Sequence, residues 1–255
     1  MTDTQTTMWF LATFTVAFLL TTFHAAADAG RFLRSAATDC TFHGQYHQDE
    51  YLERNLFRGK RGGLYVDLGA FHPTEISNTA YFDRCLRWAG LCVDANPDRI
   101  AVFKSPASDR TCEPINACLT DPSIKTRRIP THDAEDRLST SFGAPVPCVP
   151  VMTLLRDRHI RHVDFLSIDI EGHEWPVLRS WNFSEVHVTA IAVETWHGNR
   201  TEITDYLEDL GFRHAADLGA DDIFLWHGKP WLPVGITRLR ADVRQAKVDS
   251  RPSRV

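Results

Sequence analysis

The chain has 255 residues, 43% of them hydrophobic, with 28 Lys and Arg against 33 Asp and Glu and a formal net charge of -5. That length and apolar content can build one large core, which excludes a chain too polar to fold. The acidic balance offers no basic surface for a phosphate backbone, so nucleic acid is not an expected partner.

Near the N-terminus, Met8 to Phe23 reads MWFLATFTVAFLLTTF, apolar apart from threonines and free of charge. It is short for a membrane span. HAAADAG follows, with Ala27 and Ala29 placed as in a signal-peptidase site, so residues 1–29 are expected to be a cleaved secretory leader. The alternative is an uncleaved signal anchor, which would associate the chain with a membrane. Asp3 stands where such leaders carry Lys or Arg, which leaves an ordinary apolar helix as a third reading. On the secretory route, Asn182-Phe183-Ser184 and Asn199-Arg200-Thr201 would be glycosylation acceptors, predicting a glycoprotein of the ER or Golgi lumen or a secreted one. Six cysteines without a CxxC pair are compatible with an oxidising compartment. Cys92, in an apolar run, reads as a small buried hydrophobe.

From Leu64 onward, short apolar runs alternate with amphipathic segments, the pattern of a mostly parallel sheet with crossover helices. Strands are expected at LYVDLG, GLCVDA, EPINACL, VDFLSIDI, VHVTAIAVE, FRHAADL and DIFLWH. The segment TEISNTAYFDRCLRW puts Ile76, Ala80, Tyr81, Cys85 and Trp88 near one helical face, and TEITDYLEDLG repeats the pattern before a Gly stop. Only Leu218-Gly219-Ala220 separates the last two strands, too little for a crossover helix, so they should form an antiparallel hairpin. The expectation is a doubly wound α/β domain over residues 42–228. The polar stretch from Pro122 to Pro150 reads as an excursion over the carboxyl edge of the sheet. Residues 238–255, rich in Arg, Asp and Ser, read as a polar tail without a core of its own.

Three places carry chemistry. Gly69 ends the first strand and lets backbone approach a ligand, with a helix start facing the same cleft. Ala70 and Pro73 break the GxGxxG fingerprint, which argues against NAD or FAD. The second strand ends in CVDANP, placing Asp94 where an acid commonly accepts from ribose hydroxyls; a cap for a helix starting at Pro97 is its simpler role. Asp67 can organise the turn through backbone hydrogen bonds. The third place is DFLSIDIEGHE, where Asp169, Glu171 and Glu174 crowd the end of a buried strand and call for solvent or a ligand.

The runs QDEYL, YVDLGAFHPTEISNT, WAGLCVDANPDR, VDFLSIDIEGHEWPVL and IAVE, in that order from Tyr46 to His227, resemble the FkbM-type family of S-adenosylmethionine-dependent methyltransferases. The resemblance implies a Rossmann-like class I methyltransferase fold, a doubly wound seven-stranded sheet whose last strand is antiparallel. It also implies O-methylation with S-adenosylmethionine as cofactor. Carried onto this chain, the cofactor motif falls on Asp67, Gly69 and Ala70, with Asp94 as the ribose acid where many members have Glu. Asn78 matches the Asn of the SNT element, to touch the cofactor or to satisfy helix-start amides.

Methyl transfer to a hydroxyl needs an in-line approach and a proton acceptor. Asp169 and Glu171 are the expected bases, with His72 and His173 as alternatives of more suitable ordinary pKa. Glu194 ends the neighbouring strand, so Asp169, Glu171 and Glu194 could instead hold Mg²⁺ or another divalent ion. Glu174 reads as a first-turn acid favoured by the helix dipole. His197, Trp196 and Trp175 could line a pocket for a small-molecule, glycan or lipid acceptor. The competing readings are a non-catalytic secretory binding or trafficking module, and another Rossmann-like nucleotide enzyme, which the missing glycines disfavour.

Overall fold

A computed structural model describes residues 40–120, 123–129 and 143–228. The expected leader at 1–29, the tail at 238–255 and the middle of the Pro122–Pro150 stretch lie outside the described residues. Among the described residues no helix is long and apolar enough to cross a membrane.

From Thr41 the chain forms one unit. Helix α1 (Gln48–Leu52) runs into a π turn over Glu53–Phe57. Then come β1 (Leu64–Leu68), α2 (Ala80–Leu86), β2 (Ala89–Asp94), α3 (Pro97–Lys104) and β3 (Glu113–Asn116). A ribbon of β4 (Thr126–Ile129) and β5 (Ala144–Pro147) leads to α4 (Val151–Asp157), β6 (His162–Ile168) and α5 (Glu174–Ser180). The chain closes with β7 (His187–Glu194), α6 (Arg200–Leu210), β8 (Phe212–Leu218) and β9 (Asp221–Trp226).

The main sheet has the order β3-β2-β1-β6-β7-β9-β8. Its strands pair in parallel except β9, which runs antiparallel to both β7 and β8. This is the seven-stranded, doubly wound α/β sheet expected, with the last strand reversed. Alternation along β1 sends Val66 and Leu68 into an apolar layer with α4, α5 and α6, and Tyr65 into a second layer with α1, α2 and α3. Covered on both faces, β1 is buried almost throughout.

Three expectations need correction. The segment from Thr74 is not one helix: α2 begins only at Ala80, and Ile76 sits at φ 45, half exposed, off any helical face. The cause is local, since the side chains of Ser77, Asn78 and Thr79 bond to other parts of the molecule, as described below. The Pro122–Pro150 stretch is not simply an excursion, because β4 and β5 pair as an antiparallel ribbon fastened to the sheet by the Cys118–Cys148 disulfide. Cys92 is no isolated hydrophobe either: it bonds to Cys112, and no described cysteine is free.

Candidate functional site

The strand order reverses between β1 and β6, and the carboxyl ends of these strands open a crevice of the kind where such sheets bind ligands. Gly69 N donates to Val93 O at 2.9 Å, and Asp169 N donates to Leu68 O at 2.9 Å, drawing three strand ends together. Gly69 lies at φ 87, and a Cβ there would come within 1.6 Å of Asp169 O. Glycine is therefore demanded by the junction of the two loops themselves, before any ligand is considered. A cleft of about 660 Å³ opens above, lined among others by Asp67, Gly69, Ala70, Asn78, Asp169 and Glu171.

On the Gly69 side of the cleft, polar groups are organised by a cation that sequence reading missed. The Arg110 side chain is 1% exposed. It donates to Asp83 Oδ2 at 3.1 Å, Pro73 O at 2.8 Å, Ser77 Oγ at 3.1 Å, Thr79 Oγ1 at 2.7 Å and Tyr65 Oη at 2.9 Å. Thr79 Oγ1 donates onward to Asp67 Oδ2 at 2.5 Å. Burial raises the Asp67 carboxyl from its ordinary value, opposed by Thr79 and Arg110. A chain of bonds thus runs from Arg110 through the SNT loop to the cleft wall. Nothing in the local sequence marks Arg110, since these partners are supplied by β1, the Pro73–Thr79 loop and α2.

Asp94 is 4% exposed. Its carboxylate accepts from Phe71 N at 2.9 Å and Asn96 N at 2.7 Å, and Arg99 Nη1 lies 3.8 Å away. The helix cap considered for Asp94 falls to Asn96, whose Oδ1 accepts from Asp98 N at 2.9 Å ahead of Pro97. Asp94 opens not on the main cleft but on a small adjoining cavity shared with Gly69 and Arg99. Asn78 donates to Ser167 Oγ at 3.2 Å and bonds to Asp221. Its Oδ1 is buried without a hydrogen-bond partner among the described residues, on the cleft wall.

The acids line the same cleft. Asp169, Glu171 and Glu194 line the cleft together, joined by Asp221, which the β7–β9 register sets beside Glu194. His197 Nε2 sits 3.3 Å from Glu171 Oε2 and 3.4 Å from Glu194 Oε2, an oxygen with no hydrogen-bond partner among the described residues. Burial raises the Asp169 carboxyl, reinforced by Asp221 and Glu171, and a hydrogen bond joins it to Glu194. Burial and the charge on Asp169 raise Glu194 as well, so this pair retains a proton well above the ordinary carboxylate range. Asp221 is pushed up to about 6, chiefly by burial, while Gln48 Nε2 donates to its Oδ2 at 2.7 Å. Glu171 itself sits at φ 55, a left-handed conformation uncommon outside glycine.

The remaining sequence expectations divide. Glu174 is 2% exposed, and its Oε1 accepts from Ile170 N at 2.9 Å and Gly172 N at 3.1 Å, so it holds the loop carrying Glu171. His72 does not line the cleft: its Nδ1 accepts from Glu75 N at 3.0 Å and Thr74 N at 3.3 Å. His173 is likewise elsewhere, 3.1 Å from Thr120 Oγ1, its pKa lowered by burial and by Arg127. Trp196 and His197 reach the cleft, whereas Trp175 packs edge-on against Tyr206. Asp221 and Gln48 were missed; the acidic doublet Asp221-Asp222 after the hairpin turn was the available signal for the first.

A family model described as the methyltransferase FkbM domain matches residues 67–214. That span contains the Gly69 turn, Asp94, Arg110 and the acids from Asp169 to Glu194. A search among curated proteins found no match.

Proposed function

The chain belongs to the FkbM methyltransferase family, and from that premise we propose that it transfers a methyl group from S-adenosylmethionine to a hydroxyl oxygen. The residues present fit that cofactor. Asn78 offers an orphaned buried carbonyl on the cleft wall, an acceptor for a donor group such as the ammonium of the cofactor's amino acid end. Asp67, Gly69 and Ala70 would border it, and Asp94 would reach its ribose from the adjoining cavity, keeping its bonds to Phe71 N and Asn96 N. When bound, the cofactor supplies an electrophilic methyl on a sulfonium; the acceptor oxygen forms the new C–O bond as the C–S bond breaks, and its electrons return to sulfur.

The protein's part is to hold the acceptor in line and take its proton. The observation that carries this reading is the meeting of Asp169, Glu171 and Glu194 with His197 in the cleft that the Gly69 turn also lines. Glu171 takes the hydroxyl proton, with His197 orienting its carboxylate; the proton shared by Asp169 and Glu194 limits the charge behind it. A second arrangement is supported by the same side chains. Ligand atoms of Glu171, Glu194 and His197, and of Asp169, Glu174 and Glu194, lie within 4.8 Å of one another, so a divalent ion such as Mg²⁺ would find oxygen-rich donors here. Turnover lost to a chelator and restored by Mg²⁺ selects this arrangement; turnover indifferent to chelation selects Glu171 alone.

Calorimetry with S-adenosylhomocysteine tests the cofactor half without an acceptor. Saturable one-to-one binding is expected, and absence of binding by folded protein removes the reading. The pairs Cys92–Cys112 and Cys118–Cys148, with no free cysteine described, support folding in the secretory pathway. Expression in secretory cells, followed by N-terminal sequencing and glycosidase treatment, tests that location, with a mature start near Gly30 and glycan on Asn182 or Asn199 expected.

A further inference from the structure

Four large hydrophobic side chains are exposed among the described residues, Tyr46, Ile76, Val102 and Trp196, and three of them line the one cleft. Trp196 is 76% exposed, Ile76 48% and Tyr46 37%. They come from three separate segments, and each is held in place. Thr195 N donates to Ala220 O at 2.9 Å and Thr195 Oγ1 to Asp222 Oδ2 at 2.7 Å, fixing the backbone just before Trp196, while His197 just after it joins the acids. Ile76 occupies a left-handed conformation, φ 45, that β-branched residues avoid. It stays there because Arg110 grips Pro73 O and Ser77 Oγ on either side. The Tyr46 ring lies over Gly219, where a Cβ would come within 2.5 Å of the ring.

A solvent-facing indole at a cleft mouth, carried on backbone anchored through Thr195, is a contact surface for a ligand. The same cleft is lined by Asp169, Glu171, Glu194 and Asp221, carboxyl groups that accept hydrogen bonds and leave the site acidic even with a proton retained by Asp169 and Glu194. The occupant must therefore combine an apolar face with several hydroxyl donors and no negative charge. An alkyl chain would strip water from the carboxylates and return no donor. A phosphorylated or carboxylated acceptor would meet repulsion.

We propose that Tyr46, Ile76 and Trp196 form an acceptor subsite for a neutral saccharide, whose C–H face lies on the Trp196 indole while its hydroxyls bond to the acids beneath. The proposal rests on the methyl-transfer reading above and names the acceptor class for that same cleft. An aromatic face attracts the weakly positive C–H groups of a pyranose, and the ring edge then presents hydroxyls to Glu171. Trp196 is accordingly a specificity residue that touches the acceptor and leaves the cofactor alone.

The test uses the full chain made in secretory cells, labelled S-adenosylmethionine, and a defined panel: neutral oligosaccharides of mannose, galactose, fucose and N-acetylglucosamine, with a fatty alcohol, a phenol and a primary amine as competitors. Methyl transfer to at least one neutral oligosaccharide is expected. For that acceptor, Trp196→Ala should raise KM by tenfold or more while kcat stays within threefold, Trp196→Phe should recover most of the loss, and S-adenosylhomocysteine affinity should not move. Transfer to the alcohol, phenol or amine with no saccharide accepted overturns the proposal. So does an unaltered saccharide KM in Trp196→Ala, or a protein that binds S-adenosylhomocysteine yet methylates no saccharide. Wild-type protein that fails to bind S-adenosylhomocysteine shows a different failure, that of the methyl-transfer reading beneath.

Discussion

The Arg110 side and the acid side of the cleft treat their buried polar groups in opposite ways. Around Arg110, Asp83 and Asp67 find a cation or a hydroxyl, and the guanidinium is bonded on every side. Around Glu194, Asp169, Glu171 and Asp221 gather, with His197 bridging Glu171 and Glu194. Buried charge is tolerated when paired and pushes pKa values when it is not. The first side is finished as folded, while the second is complete only with a cation, a proton or hydroxyl donors in place.

Breaking the finished side should have the largest effect. Arg110→Met leaves Asp83 buried without its cation, and we expect a loss of roughly 3–5 kcal/mol in unfolding free energy, read from urea denaturation. A stability change under about 1 kcal/mol would mean that the hub is not a single unit. On the unfinished side the effect should appear in rate instead of stability. Glu171→Gln should cut turnover by roughly 10²-fold, with S-adenosylhomocysteine affinity unchanged; full turnover would remove Glu171 from the chemistry.

Asp94→Ala tests the small cavity beside the cleft. It should weaken S-adenosylhomocysteine binding by about 1–3 kcal/mol, since both a ribose acceptor and the anchor on Phe71 N are lost. Unaltered affinity in a folded variant would confine Asp94 to the loop.

The smallest expected effect is on pH dependence. Asp169, Glu194 and Asp221 all have carboxyl values raised on folding, so they stabilise the folded state at low pH. For Asp221 that contribution is complete below its ordinary value of 3.8 and is lost as pH climbs through about 6. The thermal midpoint of ligand-free protein should fall by about 2–4 °C between pH 5 and pH 8 from this source, and Glu194→Gln should flatten the slope. A slope identical in Glu194→Gln would show that the cluster is already compensated.

The sheet was legible because periodicity and turn residues are local signals. The Leu218-Gly219-Ala220 turn alone indicated the reversed last strand. The acids at the end of β6 could be read for the same reason, being clustered within DFLSIDIEGHE. What could not be read depends on tertiary partners. Apolar spacing favours a helix from Thr74, but Arg110, Asp67 and Ser167 capture Ser77, Thr79 and Asn78 and hold the segment open. His72 resembles a catalytic base in composition, yet its nearest amides are two and three residues along, and Nδ1 is used there. Gly69 was read as a ligand-facing glycine, whereas its missing Cβ first makes room for Asp169 O.

Strand β3 forms one border of the main sheet, where unpaired amides and carbonyls invite a foreign strand. In this chain that border is guarded. Cys112 ties its start to β2 and Cys118 ties its exit to the ribbon, while Pro114 removes one donor from the edge itself. The clamp keeps the strand from peeling away, and the ribbon's bonds to Cys118 and Cys148 occupy the continuation of the edge. A protein built this way resists edge-to-edge aggregation for as long as its cysteines stay oxidised, and a reducing buffer should expose that hazard before it melts the core.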